Sequence, residues 1–448
     1  MAAAGQFAAN LNLGAFAKAE ELKKRLWFTL GALIVYRIGT YVPLPGIDPV
    51  VLENIFENQS GGILGMFDVF SGGALSRMSI FALNIMPYIS AAIIMQLMTA
   101  VSPTLEALKK EGEAGRKKIN QYTRYGTVLL ATVQAYGIAV GLEGFGSGAG
   151  SGSAVIDPGY FFRATTVITL VGGTMFLMWL GEQITQRGVG NGISLIIFAG
   201  IVAGLPVALA GTLDLGRTGA LSTGFILFLI VMSVAVIAFI VFMERAQRRL
   251  LIQHPKRQRG NRMYGGESSH LPLKINTSGV IPPIFASSLL LMPLTLASFS
   301  SGQGPEWLQT VSAMLGHGQP LFLALYVLLI VFFAFFYTAV VFNPSETAEN
   351  LRRQGGFIPG IRPGKSTAAH LDYILTRLTV IGAAYLAAVC ILPEILVSRY
   401  AVPFSFGGTS LLIVVTVSMD TVSQIQGHLL AHQYEGLIRK SRLGGRRR

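Results

Sequence analysis

Residues 362–367 read RPGKST, the tail of a phosphate-binding loop, where a lysine and a hydroxyl reach the phosphates of a nucleotide. The first glycine of that motif would stand at position 359, which is Pro359, and no strand pattern precedes it. His428 and His432 have the i, i+4 spacing of a metal-binding pair, yet Leu429 follows the first histidine and the chain has no HExxH. GSGAGSGS at 146–153 lacks the spacing of a dinucleotide fingerprint and reads as a flexible linker. Neither a nucleophile elbow nor a pair of carboxylates occurs. The expectation is therefore no catalytic residue, no cofactor and no metal, which counts against a membrane-embedded enzyme.

Acids inside apolar segments are the other chemical signal, because ion-coupled carriers place ionisable groups near the bilayer midplane. Asp420 is the one acid well inside such a segment, and Glu182 and Glu394 lie near segment ends. That leaves an inverted-repeat solute transporter open as an alternative, with little for an ion-coupled mechanism to use.

The elements that carry these residues are apolar helices. The chain has 448 residues, 52% hydrophobic and 13% charged, with several uncharged stretches of about 20 residues, the length that crosses a bilayer. The fold class expected is an all-α polytopic membrane protein. Ten transmembrane helices are expected near 22–42, 80–101, 121–141, 163–184, 193–212, 222–243, 276–299, 320–342, 376–397 and 408–430. With the N-terminus inside the cell, 30 of the 35 lysines and arginines fall on cytoplasmic segments; the exceptions are Arg37, Arg77, Arg163, Arg217 and Arg399. Both termini are then cytoplasmic. No cleavable leader pattern precedes the first span, and the single cysteine, Cys390, rules out an intrachain disulfide framework.

The short outside loop 213–221 divides the spans into residues 1–212 and 213–448. Five spans each is an odd number, so the second half enters from the opposite side, the topology of two inverted five-helix halves. Pro87 and Pro282-Pro283 are expected to kink the second and seventh spans, and Gly200 and Gly204 to mark close helix packing. The net charge of +13 suits a cytoplasmic anchor or a surface for phosphate-bearing partners. Loops 244–275 and 343–377 are long, basic and rich in Gly and Pro. They suit contact with anionic lipid, or a docking platform for an acidic or RNA-bearing partner.

Residues 63–79, ILGMFDVFSGGALSRMS, pose a separate problem. The run from Ile63 to Phe70 makes a helix of only ~12 Å, too short to cross, before Gly72-Gly73. Ile63, Phe67, Phe70 and Ala74 share one helical face. An interfacial hairpin and a re-entrant helix enclosed by protein both fit these residues.

Several blocks decide among these readings: IFALNIMPYISAAIIMQL (80–97), GGTMFLMWLGEQITQRGVGNGISLIIFAGI (172–201), FNPSETAENL (342–351), GGFIPGIRPG (355–364) and FGGTSLLIVV (406–415). They resemble, in order, the SecY family, the channel subunits of the bacterial protein translocon. The similarity runs from about Leu22 to about Tyr434. One departure is Asn84, where the family pattern has glycine.

The resemblance implies a protein-conducting channel of the bacterial inner membrane, shaped as an hourglass between two halves. Residues 63–79 become a re-entrant plug helix, with Ile63, Phe67 and Phe70 on it and Gly72 and Gly73 leaving it easy to bend or displace. The pore ring falls on Ile85, Ile89, Ile193, Ile197, Ile284 and Ile413, and Gln96 and Asn276 match lateral-gate positions. Lys256, Arg257 and Arg362 match basic positions that receive the ribosome or the ATPase SecA. SecE and SecG are the implied complex partners, signal sequences and nascent polypeptides the cargo, and SecDF, YidC and anionic lipid further associates.

Overall fold

The computed structural model describes residues 19–48, 51–52, 68, 71–144, 155–218, 222–254, 257–259, 262–264, 268–299, 314, 319–400 and 408–444. A helix stands at each of the ten expected positions. In chain order the elements are α1 (Glu20–Gly39), α2 (Met86–Val101), α3 (Pro103–Lys110), α4 (Glu113–Gly144), α5 (Tyr160–Arg187), α6 (Gly192–Arg217) and α7 (Thr223–Arg245). Strands β1 (Gln247–Gln253), β2 (Arg257–Arg259), β3 (Arg262–Tyr264) and β4 (Ser268–Lys274) follow. Then come α8 (Ile281–Phe299), α9 (Pro320–Val341), α10 (Pro344–Arg353), α11 (Lys365–Tyr400) and α12 (Gly408–Gly444).

Among the described residues, α4, α5, α6, α7, α9 and α11 are long and apolar enough to cross a membrane unaided. With α2 and α3 taken as one span, bent by 98° at Ser102, there is a seventh. The chain is a multi-pass membrane protein. Side-chain oxygens satisfy several helix starts: Asn191 accepts from Ile193 N, Ser222 from Phe225 N, and Asn343 from Ser345 N and Glu346 N. Within the span of α7 only 17% of residues are buried, so most of its Ile, Val and Phe side chains face outward, where a bilayer would meet them.

Packing runs in two circuits. One joins α1, α2, α4, α5 and α6; the other joins α8 to α9, α9 to α11, and α12 to α7 and α11. The circuits touch on two sides. On one, α8 lies against α2 and α4; on the other, α12 lies against α6 and α1. The largest apolar core spans both circuits.

Four expectations are corrected. The second span does not start at Ile80: residues 80–85 form turns, and the helix begins at Met86. Pro87 therefore sits in the first turn and does not kink a helix, because the N–H it lacks would have no partner there. Pro282 and Pro283 likewise open α8, whereas Pro206 and Pro393 are the prolines inside helices α6 and α11. Ala74, expected on a helical face, lies in turns. Finally, 244–275, read in the sequence only as a long basic loop rich in Gly and Pro, holds four strands. β1 pairs antiparallel with β4 from Gln247↔Lys274 to Gln253↔Ser268, and β2 pairs with β3.

Candidate functional site

Five of the six ring isoleucines line one cavity. Ile85 caps the start of α2, and Ile89 follows one turn later with its N–H on Ile85 O at 3.1 Å. Ile197 on α6, Ile284 on α8 and Ile413 on α12 complete the lining, with Asn84, Met86, Ser287 and Ser288. The space is about 10 Å³, no more than a single water occupies. Ile85, Ile89, Ile197 and Ile413 are buried and Ile284 is half-buried. Ile193, the sixth, stands apart from this cavity. It lies in the first turn of α6 and packs against Gly181 of α5. Asn84, noticed in the sequence as a departure, adds an amide to this wall; sequence reasoning missed Ser287 and Ser288 beside it, although both follow Ile284 by one helical turn.

The backbone between α1 and α2 is irregular yet buried: Ala74, Leu75, Met78, Ser79, Phe81, Ala82 and Leu83 are all below 6% exposed. Non-helical chain at membrane depth is tolerated where protein encloses it and satisfies its polar groups. Leu44 N donates to Met78 O at 2.9 Å and Ile80 N to Val42 O at 3.0 Å, so the two passes of chain pair with each other. Phe81 is stacked between Tyr36 and Phe176, at ring separations of 6.2 and 5.8 Å.

Gly72 and Gly73 have φ of 68° and 81°, and a Cβ on Gly72 would stand 2.8 Å from Gly200 Cα. Two of the arginines that break the cytoplasmic bias meet here. Arg37 Nη1 donates to Gly72 O at 2.6 Å, and Arg77 donates to Gly72 O at 3.1 Å and to Gly73 O at 2.8 Å. Both guanidiniums lie over the Tyr41 ring. Tyr36 OH adds a bond to Ser71 O, and the Asp68 carboxylate accepts from Ser76 N at 2.8 Å. Ile63, Phe67 and Phe70 lie outside the described residues.

Within the second circuit, Phe285 of α8 makes edge contacts with Phe333 and Tyr337 of α9. Gln96 is half-buried, and its Oε1 has no hydrogen-bond partner among the described residues. Asn276 precedes α8 and is 3% exposed. It donates to Glu244 Oε1 at 2.6 Å and to Gly279 O at 3.0 Å, and accepts from Ser278 Oγ at 3.0 Å. Gln96 thus lies on α2 and Asn276 in the strap before α8, and no hydrogen bond between the two stands among the described residues.

The two basic loops form one body. Gln253 bridges to Phe357 through paired backbone bonds of 2.9 and 3.0 Å. Leu250 and Leu273 of the hairpin share a buried cluster with Ala348, Ile358, Leu371, Ile374, Leu375 and Leu378. Arg362 is exposed in a turn between Gly360 and Gly364, both at positive φ, where Thr367 Oγ1 bonds its carbonyl at 3.0 Å. Arg248, Arg249 and Lys274 are exposed on the strands nearby. Lys256 is outside the described residues, and Arg257 opens β2.

These features define a multi-pass helical membrane protein with branched apolar side chains gathered around a small cavity between its two circuits, and a basic body built from two connecting segments. Residues 79–422 match the SecY family model. Protein translocase subunit SecY of Escherichia coli K12 is 57% identical over 426 residues, 95% of this chain and 96% of that protein. A solved protein conducting channel covers 92% of this chain and 93% of its own at 17% identity with a TM-score of 0.65. Sec61 in the canine ribosome-channel complex of the endoplasmic reticulum matches the same shares at 16% identity with a TM-score of 0.63. The chain belongs to the SecY family.

Proposed function

We propose that this chain is the channel subunit of a bacterial protein translocon, a passive gated conduit and not an enzyme. Unfolded secretory polypeptides cross the inner membrane through it, and transmembrane segments leave it sideways into lipid. The observation that carries this reading is the closed collar of Ile85, Ile89, Ile197, Ile284 and Ile413 around a space no larger than one water. Aliphatic side chains at a constriction repel water and therefore ions, yet move aside for a chain of any sequence. Ile193, a turn from Ile197, joins the ring when the channel widens.

The other roles follow from position. Residues 63–79, with Ile63, Phe67, Phe70, Gly72 and Gly73, serve as the plug. Gln96 and Asn276 flank the lateral gate, the seam of α8 against α2 and α4. A signal segment entering that seam gains ~0.8 kcal/mol for each CH2 it removes from water. The body made by 244–275 and 343–377, with Lys256, Arg257 and Arg362, receives the ribosome or SecA. The ribosome-bound canine relative supports the first of these. SecE and SecG complete the complex, residues 1–212 and 213–448 act as two inverted halves, and the basic loops keep both termini cytoplasmic. The driving force comes from SecA, translation or the proton-motive force.

Ion conductance of vesicles holding the purified complex tests this. Ile284→Asn combined with Ile413→Asn is expected to raise resting conductance by roughly tenfold or more, since hydrated polar walls abolish dewetting. Vesicles that stay as tight as the parent, with cargo transport unchanged, would overturn the reading.

A further inference from the structure

Glu244 is a buried acid for which the conduit described above has no use. It is the penultimate residue of α7 and is 8% exposed, while Arg245 beside it faces solvent. A carboxyl group at a helix end would ordinarily turn outward, because burial away from water is costly unless its oxygens are bonded. Here Glu244 Oε1 accepts from Asn276 Nδ2 at 2.6 Å, and Lys274 and Asp420 are the charged groups in its field.

The location gives the bond its meaning. α7 runs into β1, and β4 runs into α8 through the strap 275–279. Ile275 N donates to Ala246 O at 3.1 Å, so the root of the hairpin closes just beside the carboxylate. Asn276 then folds the strap on itself by donating to Gly279 O at 3.0 Å, where φ is +63°, two residues before α8 begins. On the far side the strap lies against α11: a Cβ on Gly382 would stand 3.0 Å from Ile275 O. One side chain thus fixes the path between the hairpin and α8.

We propose that Glu244 is the positioning residue that sets the resting placement of α8 through Asn276, so that load on the β1–β4 hairpin is passed to the seam between α8 and α2/α4. This rests on the reading of that seam as the gate. With the clasp intact, the seam opens only when a partner strains the hairpin or a strongly apolar signal segment wedges it. Without the clasp, the strap is slack and weaker signals suffice.

The test uses cells depleted of their own channel subunit and supplied with the full chain, exporting one cargo with an intact signal segment and one with a shortened apolar segment. Glu244→Ala is expected to raise export of the second cargo about fivefold or more, the lower end of measured couplings between sites, with the first cargo and membrane abundance unchanged. Glu244→Gln keeps an acceptor oxygen of the same size and is expected to stay near the parent. Asn276→Ala is expected to raise export of the second cargo by a similar factor, and the double substitution to raise it no further. Equal loss of both cargos, no change in either, or effects that add would overturn the proposal. If Glu244→Ala fails to accumulate, the comparison of Asn276→Ala with the parent decides it by the same criteria. Failure of the unsubstituted chain to export the intact cargo would instead count against the channel reading.

Discussion

Asn84 holds a left-handed backbone, φ 48°, immediately before the collar residue Ile85. Its N–H closes a turn onto Phe81 O at 2.8 Å, and its side chain stands in the collar cavity. Glycine, the family pattern here, suits that backbone because it has no Cβ, and asparagine is among the few other residues that visit it readily. The departure noticed in the sequence is thus tolerant of the backbone while it adds an amide to the wall. Nothing in the order of residues reveals a φ angle, which is why the position was legible only as an exception. Asn84→Gly is expected to keep the fold. Asn84→Val is expected to cost about 1–3 kcal/mol, read as a lower thermal midpoint of the purified complex, because a β-branched side chain resists the left-handed region. The same kind of information separates Ile193 from Ile197. Both lie on one face of α6, four residues apart, but only the helix start at Gly192 and the neighbour at Gly181 show which of them reaches the cavity.

At the scale of elements, the apolar helices were readable from composition because twenty uncharged residues in a row have few other solutions. The β1–β4 hairpin was not. QRRLLIQ turns Leu250 and Ile252 inward, the period-two signal of a half-buried strand, but Leu251 between them is also apolar and blurs the alternation. The partner strand SSHLPLK carries a proline that reads as a loop, and it is accommodated on a two-stranded ladder opposite Arg249. The hairpin buries its apolar side only because α10 and the N-terminal end of α11 supply a second face, a tertiary fact that no window of sequence contains. Leu371 is fully buried at the centre of that contact. Leu371→Ala is expected to cost this body about 2–5 kcal/mol, since it opens a cavity under the hairpin. Limited proteolysis would then cut within 244–275 earlier than in the parent, and salt-sensitive ribosome binding would weaken, while resting ion conductance stays low. Equal protection of parent and variant would mean the hairpin does not depend on α11.

At the scale of the molecule, the two circuits of helices touch on two sides, and those sides are built differently. Behind the collar, Gly190 N donates to Gln424 Oε1 at 2.9 Å and Val189 N to Thr29 Oγ1 at 3.1 Å. Ala19, Leu22, Val189 and Leu429 close over them in one buried cluster. The first bond ties the two circuits directly, the second seats the α5–α6 loop on α1, and the shared apolar cluster joins both to α12, so this side resists separation. On the α8 side the cavity facing α2 sets the branched aliphatic Ile85, Ile89 and Ile284 beside the small polar Ser287 and Ser288, and lipid tails can replace the aliphatic contacts at little cost because they are equally apolar. A polypeptide forcing the collar apart therefore parts the molecule at α8 and pivots it at α12. Two disulfides distinguish the sides. Val189→Cys with Leu429→Cys, both inside the buried cluster, is expected to leave export unchanged after oxidation. Ile89→Cys with Ile284→Cys, which face the same cavity from α2 and α8, is expected to halt export until a reductant is added. Arrest by the first pair and indifference to the second would place the moving side at α12 instead.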